Sequence, residues 1–185
     1  MKITLASASP RRRELIAKIK DLTVDIIPSG ADETLVSASA PRELAENLAR
    51  VKAESVFRDH GGIVLGADTV VVLRDRVLGK PKTKAEACGF LRLLSGKTHE
   101  VITGIAIVNA DKTVVKSEVT RVTFREITER EITDYVATGS PMDKAGGYGI
   151  QDAEVMAFTE STDGDEDNVI GLPVALVEKT LEENF

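Results

Sequence analysis

One cysteine, Cys88, stands among 185 residues. An internal disulfide is thereby excluded, and a cysteine-built metal site has too few ligands. The two histidines, His60 and His99, have no helical partner at metal-ligand spacing, so both are expected to be structural. No apolar run approaches the roughly 20 residues of a membrane span. The amino terminus has no apolar signal region with a cleavage site, so a cytoplasmic protein with no membrane partner is expected. Positive charge is in the minority: the net charge is -6, and no basic stripe suited to a nucleic acid polymer runs along the chain. A small anionic ligand is still compatible, because it needs only local positive charge. No Gly-x-Gly-x-x-Gly follows the first apolar segment, and there is no Walker loop, which argues against dinucleotide and P-loop sites.

What is present fits a soluble globular protein. Apolar residues make up 42% of the chain and charged residues 29%. Without a repeat, low-complexity tract or linker, residues 1–185 read as one domain. Residues 2–6 and 24–27 read as strands flanking a helix that Ser9 caps and Pro10 starts, with Leu15, Ile16 and Ile19 as its apolar stripe. A turn-rich loop then carries Asp32 and Glu33. Residues 41–58 have helical spacing at Leu44, Leu48 and Val51, with Arg42, Arg50 and Lys52 on the polar side. An apolar, β-branched run over 63–73 predicts a buried strand, interrupted by Asp68. Thr83 with Glu86, and Thr128 with Glu131, read as capping boxes of two helices, the first running to about Leu94 and the second to Gly139. Between them two strands join at Asn109 to Lys112, with a bulge expected near Thr120. A strand near Val155 to Thr159, an acidic loop and a helix from about Pro173 complete the chain. The expected fold class is α/β, a mixed twisted sheet flanked by helices.

Two features carry the chemistry. Arg11, Arg12 and Arg13 crowd the start of a helix, where each cation opposes the helix dipole by about 0.3–1 kcal/mol. They are either a solvated basic turn or a grip on phosphate, for which forked guanidinium donors and a helix start are suited. Asp68 is a carboxylate inside an apolar strand, expensive unless paired, hydrogen-bonded or metal-bound. It is either a satisfied structural aspartate or a reacting group at a strand end. Lys80 follows one hairpin later. Asp32 and Glu33 add hard oxygen donors of the kind that hold Mg²⁺ or Mn²⁺. The acidic run TDGDEDN lacks the glycine and closing glutamate of a calcium loop and reads as a solvated loop. Cys88, in mid-helix, reads as a small core residue.

Taken together, LASASPRRREL, GADTVV, LGKP, LSGKTHEVITG, DKAGGYGIQ and NVIGLP resemble the Maf family of nucleoside triphosphate pyrophosphatases, in the family's order from Leu5 to Pro173. The resemblance implies a fold related to inosine-triphosphatase-like enzymes, a homodimer in many members, and a divalent cation. The implied reaction cleaves a nucleoside triphosphate between its α and β phosphates. It also implies site residues: Ser7, Arg11 and Arg12 for the phosphates; Glu33, Lys52, Asp68 and Lys80 for catalysis; and Glu33 with Asp68 for the metal. Thr69, Tyr148 and Gln151 resemble the branch acting on dTTP and UTP. The amide of Gln151 offers the donor and acceptor that match a uracil or thymine edge. The other readings are a non-catalytic nucleotide sensor acting in septum control and a pyrophosphatase for modified purines such as 7-methyl-GTP. A sensor needs the arginines but not the carboxylates, and the presence of both favours an enzyme. At Asp152 the chain departs from the family, in which glycine usually follows the glutamine, and the stretch to Phe158 is one residue longer.

Overall fold

A computed structural model describes residues 1–185. Seven strands form one mixed sheet with helices packed on it: β1 (Lys2–Leu5), β2 (Thr23–Ile26), β3 (Val64–Leu73), β4 (Arg76–Leu78), β5 (Thr98–Val108), β6 (Thr113–Phe124) and β7 (Thr159–Asp163). The order is β2-β1-β3-β5-β6-β7, with β4 on β3. β1 runs parallel to β2 and β3, whereas β3–β4 and β6–β7 are antiparallel. The helices are α1 (Pro10–Ile16), α2 (Pro41–His60), α3 (Lys84–Leu94), α4 (Glu129–Ala137), α5 (Ala153–Phe158), α6 (Glu166–Ile170) and α7 (Val174–Asn184). The expected α/β class with a mixed sheet is observed.

The chain forms two compact units. The first holds residues 1–69, 103–118 and 167–185, the second 70–102 and 119–166. In the first unit, strand alternation sorts side chains between two layers. Ile3, Leu5, Leu65, Ala67, Ile105 and Ile107 join Leu15 and Ile16 of α1 and Val177 and Leu181 of α7. Val64, Ala106 and Val108 instead meet Ala49, Ala53 and Val56 of α2. Within this unit, odd-numbered residues of β3 and β5 therefore face α1 and α7, and even-numbered ones face α2.

The buried face of α2 differs from the expected one. Leu44, Leu48 and Val51 are only half-buried, and the fully covered stripe is Ala45, Ala49, Ala53 and Val56. Close approach of backbone explains the reversal. A Cβ on Gly66 would overlap the Ala49 carbonyl and lie 2.8 Å from Ala53 N. One on Gly104 would lie 2.6 Å from Glu46 N. Glycine on the strands and alanine on the helix let the two elements touch where larger residues would clash.

In the second unit, His99, Phe124, Tyr135, Tyr148 and Phe158 are buried and meet edge to face, with neighbouring ring centroids 4.8–6.3 Å apart. α4 has the complete capping box expected of Thr128 and Glu131. At α3, Thr83 caps the Glu86 amide, but the Glu86 carboxylate accepts from the Lys82 N–H, so the box is only half formed. Residues 153–158 are helical rather than extended, since AEVMAF consists largely of good helix formers. The strand begins at Thr159, and the acidic loop contains the short helix α6. Thr120, Val122 and Phe124 keep strict alternation, and the irregularity lies at Thr123/Phe124 against β7, not near Thr120.

Candidate active site

The site follows from two consecutive residues of β3. A strand sends neighbours to opposite faces, so Asp68 points to the α2 side and Thr69 to the α1 side. Each meets a cation from the helix covering its face. Lys52 of α2 places Nζ 2.5 Å from Asp68 Oδ1 and 3.2 Å from Glu33 Oε2. The Lys52 and Asp68 side chains are 12% and 14% exposed, so this pair is sheltered, whereas Glu33 is half exposed. Glu33 opens a 3-10 turn, Glu33–Leu35, capped by Asp32, whose side chain accepts from the Thr34 N–H.

Arg12 serves the other face. Its Nε donates to the Gly171 carbonyl at 2.8 Å, Nη2 to Thr69 Oγ1 at 3.2 Å and Nη1 to Ser7 Oγ at 3.5 Å. Burial pulls its pKa below the usual arginine value, and the charge of Asp68 opposes that shift. Hydroxyl polarity is settled from the far end. The Asn168 carbonyl can only accept, so Thr103 spends its hydrogen there at 2.9 Å. Thr69 therefore donates to Thr103 at 2.9 Å and accepts from Arg12. The hydrogen of Thr69 is committed to this chain, which holds the Arg12 guanidinium in place. Thr103 and the Gly171 carbonyl were not singled out from the sequence. The available signal was a threonine inside the apolar run VITGIAIV, on the odd-numbered face shared with Thr69.

The residues expected at the site fall into two groups. Ser7, Arg11, Arg12, Glu33, Lys52, Asp68 and Thr69 belong to the first unit; Lys80, Tyr148 and Gln151 belong to the second. Ser7 is buried at the end of β1, where its Oγ also accepts from the Ser9 N–H at 3.2 Å. Arg13 is exposed while Arg11 and Arg12 are half-buried, so the cluster divides as helical geometry requires. α1 spans only seven residues, so side chains rather than a long helix dipole carry its positive charge. Lys80 and Gln151 are exposed. Tyr148 is 5% exposed, and its hydroxyl lies 2.7 Å from His99 Nε2, which commits the side chain to the core. Burial raises the Tyr148 phenol and lowers the His99 imidazole to about 4, keeping both neutral.

Glu33 and Asp68 supply two hard oxygen donors flanking one ammonium, and no cluster of three or more His, Cys, Asp or Glu converges here or elsewhere. This donor set fits Mg²⁺ or Mn²⁺ held by one or two carboxylates, with phosphate oxygens and water completing the shell.

The fold is similar to that of solved Ham1 proteins. The Staphylococcus aureus Ham1 protein matches with a TM-score of 0.59 at 16% identity over 100% of both chains. A Coxiella burnetii HAM1 protein matches at 0.52 and 18% identity, covering 99% of each chain. Residues 2–184 match the family described as Maf-like protein, and the chain belongs to that family. It is 48% identical over 183 residues to proteins named dTTP/UTP pyrophosphatase from Bacillus mycoides and Bacillus anthracis, covering 98% of this chain and 95% of each relative. No helix is long and apolar enough to cross a membrane.

Proposed function

We propose that this chain hydrolyses dTTP and UTP to the nucleoside monophosphate and pyrophosphate. One observation carries the reading: the sheltered Asp68–Lys52 pair and the Arg12–Thr69 clamp stem from adjacent strand residues. Asp68 as base and Arg12 as phosphate-binding cation then flank one short segment of β3, and the names of the Bacillus relatives support the substrate. Arg11, Arg12 and Ser7 bind the triphosphate. Lys52 fixes the Asp68 carboxylate through Oδ1, leaving Oδ2 to take a proton from water. The water oxygen joins phosphorus, the α–β bridging P–O bond breaks, and pyrophosphate leaves. Glu33 and Asp68 would hold a divalent cation, which when bound neutralises phosphate charge. Lys80 adds a further positive charge for the phosphates. Tyr148 backs the turn from the core, and Gln151 reads the pyrimidine edge.

The test is a panel of canonical and modified nucleoside triphosphates with Mg²⁺ or Mn²⁺, assayed for pyrophosphate. Release from dTTP and UTP ahead of purine triphosphates is expected. Nucleoside diphosphate with orthophosphate as first products overturns the assignment. A homodimer, implied by the family resemblance, belongs to the same proposal and is read by sedentation-equilibrium mass. The cytoplasmic location is read by cell fractionation.

A further inference from the structure

Asp152 is tied into the turn that carries Gln151. Its Oδ2 accepts from the Tyr135 hydroxyl at 2.6 Å and from the Ser140 hydroxyl at 2.7 Å. The Tyr135 oxygen, its own hydrogen spent on Asp152, accepts the Gly149 N–H at 3.0 Å. The Asp152 N–H closes the turn on the Gly149 carbonyl at 2.9 Å. Lys144 Nζ donates to the Ser140 carbonyl and hydroxyl at 2.6 and 2.9 Å. Its stem passes so close that a Cβ on Gly149 would lie 2.7 Å from Lys144 Cε and 3.1 Å from Asp152 Oδ2. Gly149 and Asp152 are thus both fastened to Tyr135 on α4, a helix whose start is itself locked by its capping box. Gln151 stands between these two tethers with its side chain exposed. A glycine at 152 would offer no acceptor to either hydroxyl, and the Tyr135–Gly149 link would lose the partner that orients it.

We infer that Asp152 is a positioning residue for base selection: by fastening the Gly149–Asp152 turn to Tyr135 and Ser140, it fixes how Gln151 is presented and so favours uracil or thymine over cytosine. This rests on Gln151 reading the base, as proposed above. Only acceptor oxygen is required, so asparagine, whose Oδ1 can accept both hydrogens, replaces Asp152 and alanine does not.

The test compares wild type with Asp152→Ala, Asp152→Asn and Tyr135→Phe, by pyrophosphate release from UTP and CTP and by hydrogen exchange at the 149–151 amides. Asp152→Ala is expected to raise KM for UTP about tenfold through misplacement of Gln151, with kcat within about twofold. The UTP preference over CTP falls in step, and the three amides exchange faster. Asp152→Asn retains the wild-type pattern. Tyr135→Phe repeats the alanine result, and the double variant adds little because both act through one network. Unchanged selectivity and exchange in Asp152→Ala overturn the inference, as does asparagine proving as damaging as alanine. If Asp152→Ala does not fold, Tyr135→Phe carries the same comparison. A wild type inactive on UTP and dTTP instead refutes the proposed substrate and removes base selection, while the exchange data separately uphold or refute the tether.

Discussion

Acidifying the protein should weaken it through one group, His99. The imidazole is 2% exposed, packed edge-on against Phe124 and hydrogen-bonded to the buried Tyr148 hydroxyl. Desolvation lowers its pKa from 6.5 to about 4. The unfolded chain therefore binds a proton near pH 6.5 that the folded chain refuses until about pH 4. Stability is full above pH 6.5, is lost as pH falls across that window, and stops changing on this account below it. The gap corresponds to about 3 kcal/mol, at about 1.4 kcal/mol per pH unit for one proton. Carboxylates titrate near the lower end of the same range, so the assay is a difference. Urea melts of wild type and His99→Gln are run from pH 7.5 to 4, and the variant should lack about 3 kcal/mol of the wild-type decline. An imidazole NMR titration should place His99 near 4. A midpoint at or above 6, or equal slopes for the two proteins, would refute the reasoning. Tyr148 lies one residue before Gly149, so the same protonation should loosen the turn carrying Gln151.

Asp68→Asn keeps shape but removes the proposed proton acceptor, so turnover should fall by at least about 100-fold; near-normal turnover would make Asp68 structural. Arg12→Ala strips donors from the Gly171 carbonyl, Thr69 and Ser7 and should cost roughly 10- to 150-fold in kcat/KM. Arg11→Ala should cost a similar factor, whereas exposed Arg13→Ala should leave kcat/KM within about twofold; steady-state kinetics on the three variants separates them. Gly66→Ala forces a methyl into the α2 backbone and should destabilise the fold by about 1–3 kcal/mol in denaturant melts.

Local chemistry was legible in the sequence. Ser9 accepts from the Arg12 N–H as its position before Pro10 predicts, and Thr128 with Glu131 forms the full box. Asn109 makes the hairpin turn by accepting the Asp111 and Lys112 amides through its own side chain. These devices act over two to four residues, so neighbouring letters suffice to specify them. The apolar cost of Asp68 was equally local, since a carboxylate inside a β-branched run needs a partner wherever the strand lies.

The partners themselves required the assembled chain. Periodicity selected Leu44, Leu48 and Val51 as the inner face of α2, yet the alanines face inward, because glycines 13 residues or more away in sequence bring strand backbones against that helix. That same rotation of α2 turns Lys52 toward Asp68. AEVMAF folds as helix rather than strand, with Val155 and Phe158 buried. Tyr148 finds its hydrogen-bond partner, His99, 49 positions away, which no local pattern names. Sequence alone determined caps, turns and the presence of an acid in need of a partner, because those rest on interactions between near neighbours. Tertiary structure decided which cation meets Asp68, which oxygens hold Arg12 and which hydroxyls Asp152 receives, because those contacts join residues 5–159 positions apart and exist only once strand and helix are packed.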